Sequence, residues 1–204
     1  MKSVIGISLR ITNAEKYVEK RDSISHDWPI LLQDLGFTPL LIPNTISDVT
    51  TYLDEMKISG LILSGGDNIG DDKLRDNTET TILDYAISHN VPLIGVCRGM
   101  QIINTFFGGK VQSVGNSNHV NKPHMVNIDN HFSLENNSIQ VNSFHHNTID
   151  QRNLGRNLTS FAVSKHDNTV EGLIHNELPI IGVMWHPERN PDQNSHILLK
   201  KIFS

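Results

Sequence analysis

The chain has 204 residues, 37% of them hydrophobic and 19% charged, which suits one soluble domain over residues 1–204 and excludes a disordered chain. Its net charge of −5 comes with no cluster of lysines or arginines, so neither nucleic acid nor an anionic membrane surface finds an electrostatic match. Residues 1–10 hold too short an apolar core for a signal peptide, and no run approaches the roughly 20 apolar residues that span a bilayer. A single cysteine rules out an internal disulfide and points to a reducing compartment, the cytoplasm.

Residues 4–8 (Val-Ile-Gly-Ile-Ser) read as a buried first strand, and the polar stretch from there to Ser25 as a loop near the sheet's carboxyl edge. Trp28, Leu31, Leu32 and Leu35 have helical spacing, predicting a helix over 26–35 that Gly36 stops. A short strand follows at 39–42. Asp48 is suited to cap a helix whose apolar face is Val49, Tyr52, Leu53 and Met56. A third strand at 60–63 is broken sharply by Ser64-Gly65-Gly66-Asp67, and a helix is predicted over 76–90.

An apolar run at 93–96 then meets Gly95-Val96-Cys97-Arg98-Gly99, with a helical pattern over 100–107 behind it. Glycines two residues either side of a potential nucleophile allow a sharp strand-to-helix turn, because backbone and helix can approach closely there. Such an elbow lifts Cys97 above the carboxyl end of a sheet, at a helix N-terminus whose partial positive charge favours thiolate. A lone buried cysteine is otherwise most often a small hydrophobe, so the elbow glycines carry the argument.

Four strand–helix repeats predict an α/β fold with a mostly parallel, doubly wound sheet and helices on both faces. The second half differs. Short strands at 125–128, 138–141, 158–163 and 169–174 suggest an antiparallel addition. A buried strand at 180–184 runs into Trp185-His186-Pro187-Glu188, and a helix is predicted over 192–203. The asparagine-rich patch at 116–121 reads as a surface loop.

A cysteine nucleophile needs a base, and the base needs a group that fixes its tautomer. His186 and Glu188 lie two apart on an extended segment, so they point to one side. Both His186 and Cys97 stand at a strand's carboxyl end, where parallel sheets present functional side chains. The other histidines invite a metal reading that their spacing does not support. His145 and His146 are adjacent and face opposite ways, and His119, His124 and His131 lack zinc-ligand spacing.

Gly95-Val-Cys97-Arg-Gly99-Met-Gln101 with Trp185-His186-Pro-Glu188 resembles the triad of class I glutamine amidotransferases, a flavodoxin-like fold. Arg98 after the cysteine and Arg75-Asp76-Asn-Thr-Glu79 upstream are similar to the family's γ-glutamyl-hydrolase branch. Ser64-Gly65-Gly66-Asp67, residues 141–146 (Val-Asn-Ser-Phe-His-His) and residues 167–171 (Asp-Asn-Thr-Val-Glu) extend the likeness over nearly the whole chain. The resemblance implies that Cys97 attacks a γ-glutamyl carbonyl, that His186 shuttles protons, and that Glu188 orients His186. It implies oxyanion donors at Gly65, Gly66 and Arg98, and glutamyl contacts from Gln101, Ser143 and Phe144. No metal or organic cofactor is implied; the partner is a small-molecule γ-glutamyl substrate.

Arg75, Asp76 and Glu79 fit an ion-pair cluster at a helix start better than a substrate contact. Asp167 and Glu171 fit a hairpin. The loop between Gly66 and Arg75 is short and lacks the proline and tyrosine usual after the double glycine, which leaves one wall of the site open. A leaving group bulkier than an amino acid is then expected, and the pattern resembles capsule-pathway hydrolases of γ-glutamyl nucleotide amidates. Three functions follow in order: a free-standing γ-glutamyl hydrolase, a glutaminase subunit feeding ammonia to a synthase, and an inactive binding member of the fold. The sequence sets no oligomeric state; a homodimer is one option.

Overall fold

The computed structural model describes residues 3–113, 120–129, 137–189 and 191–203. Its first half contains β1 (Val4–Ser8), β2 (Arg10–Asn13), β3 (Lys20–Ser23), α1 (Asp27–Asp34), β4 (Thr38–Ile42), α2 (Val49–Glu55), β5 (Gly60–Leu63), α3 (Lys73–His89), β6 (Leu93–Val96) and α4 (Arg98–Phe106). The second contains β7 (Gln112–Ser113), β8 (His124–Ile128), β9 (Ser138–Val141), β10 (Asn147–Thr148), β11 (Leu158–Ser164), β12 (Val170–His175), β13 (Ile180–Val183) and α5 (Gln193–Phe203).

Nine strands make one sheet in the order β4-β1-β5-β6-β13-β12-β11-β8-β9. The first five run parallel, in the flavodoxin-like order, and the last four continue the sheet antiparallel. The predicted antiparallel addition is therefore an extension of the main sheet. Helices cover both faces. Trp28, Leu31 and Leu32 of α1 pack with Leu198, Leu199 and Phe203 of α5 on one. On the other, Leu53 of α2, Ile82 and Leu83 of α3, and Met100 and Ile103 of α4 form a second core layer. Strands β5, β6 and β13 are buried at every position, as a sheet covered on both faces requires.

The structure departs from the expected elements in three places. The stretch expected as a loop before Ser25 contains an antiparallel hairpin, in which β2 pairs with β3 from Arg10 opposite Ser23 to Asn13 opposite Lys20. Helix α3 starts at Lys73, because Asp72 rather than Asp76 caps it by accepting from the Leu74 N–H. Helix α4 begins directly after Cys97. Most of the 116–121 patch lies outside the described residues.

Packing of α4 against β5 sets a steric limit at the elbow. A Cβ on Gly99 would sit 2.1 Å from the Leu63 carbonyl oxygen, well inside any tolerable contact. The Gly99→Ala chain should therefore lose roughly 3 kcal/mol of stability or more, read as a lowered urea midpoint. A midpoint equal to that of the unsubstituted chain would show that helix and strand can separate at little cost.

Candidate active site

Cys97 stands between β6 and α4 with φ 52° and ψ −103°, a backbone conformation that non-glycine residues rarely adopt. Two things hold it there. A Cβ on Gly95 would lie 2.5 Å from the Gly99 carbonyl group, so only glycine lets the strand and the new helix fold back this tightly. The Cys97 N–H donates to the Val183 carbonyl at 2.8 Å, pinning the elbow to β13. The Arg98 N–H is the first of α4 and has no partner within the helix, as at any helix start.

His186 follows β13 and is 4% exposed. Its Nδ1 lies 2.7 Å from Glu188 Oε1, and Cys97 lies close enough to act on the ring as well. Burial opposes a charge on this ring. The hydrogen bonds to Cys97 and Glu188, with the charges of both, outweigh it and push the His186 pKa up to about 9. Asn142 clamps the backbone here: its Oδ1 accepts from the His186 N–H at 2.8 Å, and its Nδ2 donates to the carbonyls of His186 and Arg189.

Gly65 lies across the site. A Cβ there would be 2.7 Å from His186 Cε1 and 3.5 Å from Cys97 Cβ, so this turn borders both. The turn is braced from below. Arg75 Nη2 donates to the Ser64 and Gly65 carbonyls at 2.9 Å, and its Nε to Glu79. The fully buried Glu79 also accepts from Ser8 Oγ and from Arg98, whose other arm reaches Asp76. Arg75, Asp76 and Glu79 thus form the expected ion-pair cluster. It is buried, and it joins the Gly65 turn to the elbow helix. Burial lowers Arg75 and Arg98 to about 10, against the attraction of Asp67 and Asp76, so both stay charged at neutral pH.

Gln101 is buried; its Nε2 reaches Met184 Sδ, and its Oε1 accepts from Asn147 across a cavity shared with Asn68, Ile69 and Thr105. Ser143 is buried in the loop after β9, and its carbonyl accepts from the Asn121 N–H. Phe144 is exposed and sets its edge on His186, with ring centroids 5.7 Å apart at 81°. The structure thus places all the expected residues around the carboxyl ends of β5, β6, β9 and β13. Two further residues join them. Asn142 lies in the 141–146 motif, where the sequence gives it no role, and Arg10 carries no signal at all.

Of the two adjacent histidines, His145 is buried and His146 exposed. His119 and His131 lie outside the described residues. Among the described residues no group of three or more His, Cys, Asp or Glu is placed to hold a metal ion. Asp167 shapes the β11–β12 turn through Thr169, as expected. Glu171 does not. It is fully buried, with the Nε2 atoms of His124 and His145 each 3.6 Å from Oε1.

This fold and elbow define the class I glutamine amidotransferase-like proteins. Residues 3–188 match the Peptidase C26 family, and the chain belongs to that family. It is similar to the γ-glutamyl-CDP-amidate hydrolase of Campylobacter jejuni subsp. jejuni serotype O:2, at 34% identity over 98% of this chain and 97% of the relative. A solved GMP synthase-type protein of Thermoplasma acidophilum superposes with a TM-score of 0.75 at 25% identity, covering 100% of this chain and 93% of that one. A Thermotoga maritima glutamine amidotransferase gives a TM-score of 0.67 at 15% identity, over 92% and 76% of the two chains. Among the described residues no helix is long and apolar enough to cross a membrane.

His186 links the site to stability through pH. Its pKa is raised from 6.5 to about 9, so the folded chain holds this proton more tightly than the unfolded one. The contribution is complete below about pH 6.5 and is lost as pH rises through about 9. In an NMR titration the His186 ring should have its midpoint near 9, and Glu188→Gln should move the midpoint to lower pH. An unmoved midpoint in that variant would rule out the coupling.

Proposed function

We propose that the chain is a hydrolase of γ-glutamyl amides that works through Cys97, His186 and Glu188. One observation carries this. The buried His186 bonds Glu188 through Nδ1 and borders Cys97 across the Gly65 turn, the two standing at the ends of neighbouring strands. Cys97 Sγ attacks the γ-carbonyl carbon, and charge builds on the carbonyl oxygen. The N–H of Arg98 and the Gly65-Gly66 turn receive that charge; in other enzymes one such donor is worth about 10²–10³-fold in rate. His186 gives its proton to the departing nitrogen as the C–N bond breaks, leaving a glutamyl thioester on Cys97. It then takes a proton from water as the hydroxide attacks, the C–S bond breaks, and glutamate leaves.

Gln101, Ser143 and Phe144 are assigned to the glutamyl head group, Gln101 through its side chain and the other two through backbone. The finer substrate proposed is a γ-glutamyl nucleotide amidate of the γ-glutamyl-CDP-amidate kind. Similarity to a hydrolase of that compound over almost the full length of both chains supports it. A glutaminase of the same class that serves a synthase would be nearly silent alone, which gives the test its second outcome.

The purified chain alone should release glutamate from γ-glutamyl-CDP-amidate in preference to glutamine. Cys97→Ala should abolish release, and Glu188→Gln should lower kcat by about 10²–10⁴-fold. A Cys97-bound glutamyl adduct should be trapped on acid quench and seen by intact-protein mass spectrometry. Silence on every γ-glutamyl substrate would displace this function in favour of a glutaminase that works only beside its synthase.

A further inference from the structure

Two openings near the site bear on the substrate; a third, which His186 and Arg189 also line, is bounded by Asn142, Trp185 and Asp192. One lies beside Gln101 and is bounded by Asn68, Ile69, Thr105 and Asn147. The other is lined by His186 and Glu188, by Trp28 and Gly66, and by two cations, Arg10 and Arg189. The group that protonates a leaving nitrogen must face that nitrogen. The opening on the His186 side therefore belongs to the leaving group, and the Gln101 side to the glutamyl group.

The two arginines are held in ways that leave donors for an anion. Arg10 spends Nη2 on Asp67 at 2.7 Å, while its buried Nε has no acceptor among the described residues. It passes beneath Gly66, where φ is +129° and a Cβ would lie 3.5 Å from that same Nε. The Arg189 guanidinium lies 4.3 Å over the Phe144 ring, so its plane is fixed against an aromatic face. Among the described residues it makes no hydrogen bond, and its nearest carboxylate oxygen, Glu188 Oε1, is 4.0 Å away and already bonded to His186. A stacked guanidinium with its edge donors unspent is suited to phosphate oxygens. Glu188, the carboxylate that lines the cleft, is engaged by His186, and Asp67, which lies outside it, by Arg10 and Arg75.

Resting on the hydrolase function above, we propose that Arg10 and Arg189 form a phosphoryl subsite for the leaving group. The substrate class is then an N-phosphoryl γ-glutamyl amide, in which the scissile nitrogen is itself bonded to phosphorus. The cleft holds about 60 Å³ and is open to solvent, so it takes a phosphoryl group and leaves the nucleoside outside. Specificity then rests on the phosphoryl oxygens rather than on an enclosed base pocket.

The test compares γ-glutamyl-CDP-amidate, γ-glutamyl-γ-aminobutyrate and the uncharged γ-glutamyl-p-nitroanilide in the full chain and in Arg10→Ala, Arg189→Ala and Arg189→Lys. Loss of a charge-assisted contact should raise KM for the amidate about tenfold or more beyond any change for the anilide, with kcat falling less. Arg189→Lys should recover part of the loss, and inorganic pyrophosphate should compete with the amidate in the unsubstituted chain but weakly in the alanine variants. Equal changes for amidate and anilide, or a preference for the aminobutyrate conjugate, would overturn the subsite. If no substrate is turned over, the hydrolase function fails by itself, and CDP binding by calorimetry still decides the cleft. Binding weakened about tenfold in Arg189→Ala supports it, and no binding by the unsubstituted chain defeats it. Arg189 is half-buried at the cleft rim, and thermal melts check that its variants and Arg10→Ala fold.

Discussion

The site depends on one buried carboxylate. Glu79 receives Ser8 from β1, Arg75 from its own helix and Arg98 from the elbow helix, and so joins three elements by polar bonds, with Arg98 also reaching Asp76. Burying such charges is costly, and a hydrophobic replacement of the same shape could be as stable. What the network supplies is position. Arg75 engages the Ser64 and Gly65 carbonyls, and Arg98 ties the first turn of α4 to Glu79 and Asp76. The Gly65 turn and the elbow helix therefore hang on one polar frame.

The elbow and the His186–Glu188 pair were legible because their requirements are local. Gly95 and Gly99 are needed within a few residues of Cys97, and the distances to the Leu63 and Gly99 carbonyls show why no side chain fits. His186 and Glu188 lie two apart on one extended segment, so their pairing needs no knowledge of the rest of the fold. Strands β5, β6 and β13 were equally plain, having no polar side chain at any position.

What escaped depends on partners remote in sequence. The β2–β3 hairpin is polar and at most half-buried, with no alternation of apolar residues to announce it. Its pairing shows only in three dimensions, where Arg10 reaches Asp67 and Asn44 bonds Asp22. Glu171 looks like a turn residue until β12 is placed inside the sheet and His124 and His145 close over it. Asn142 becomes a clamp only once β9 and the segment after β13 are neighbours.

The position of β13 in the sheet has a consequence for how the chain is made. It follows β6, β12, β11, β8 and β9 in sequence, yet it lies between β6 and β12 at the centre. A nascent chain that has emerged only to residue 175 holds Cys97 but lacks the strand that pins the elbow and the histidine that stands beside it. The sheet can close only when this late strand inserts between two earlier ones, a contact of long sequence separation that forms slowly. Cys97 and His186 thus come together in one late step, and a partly synthesised chain carries the thiol without its neighbour.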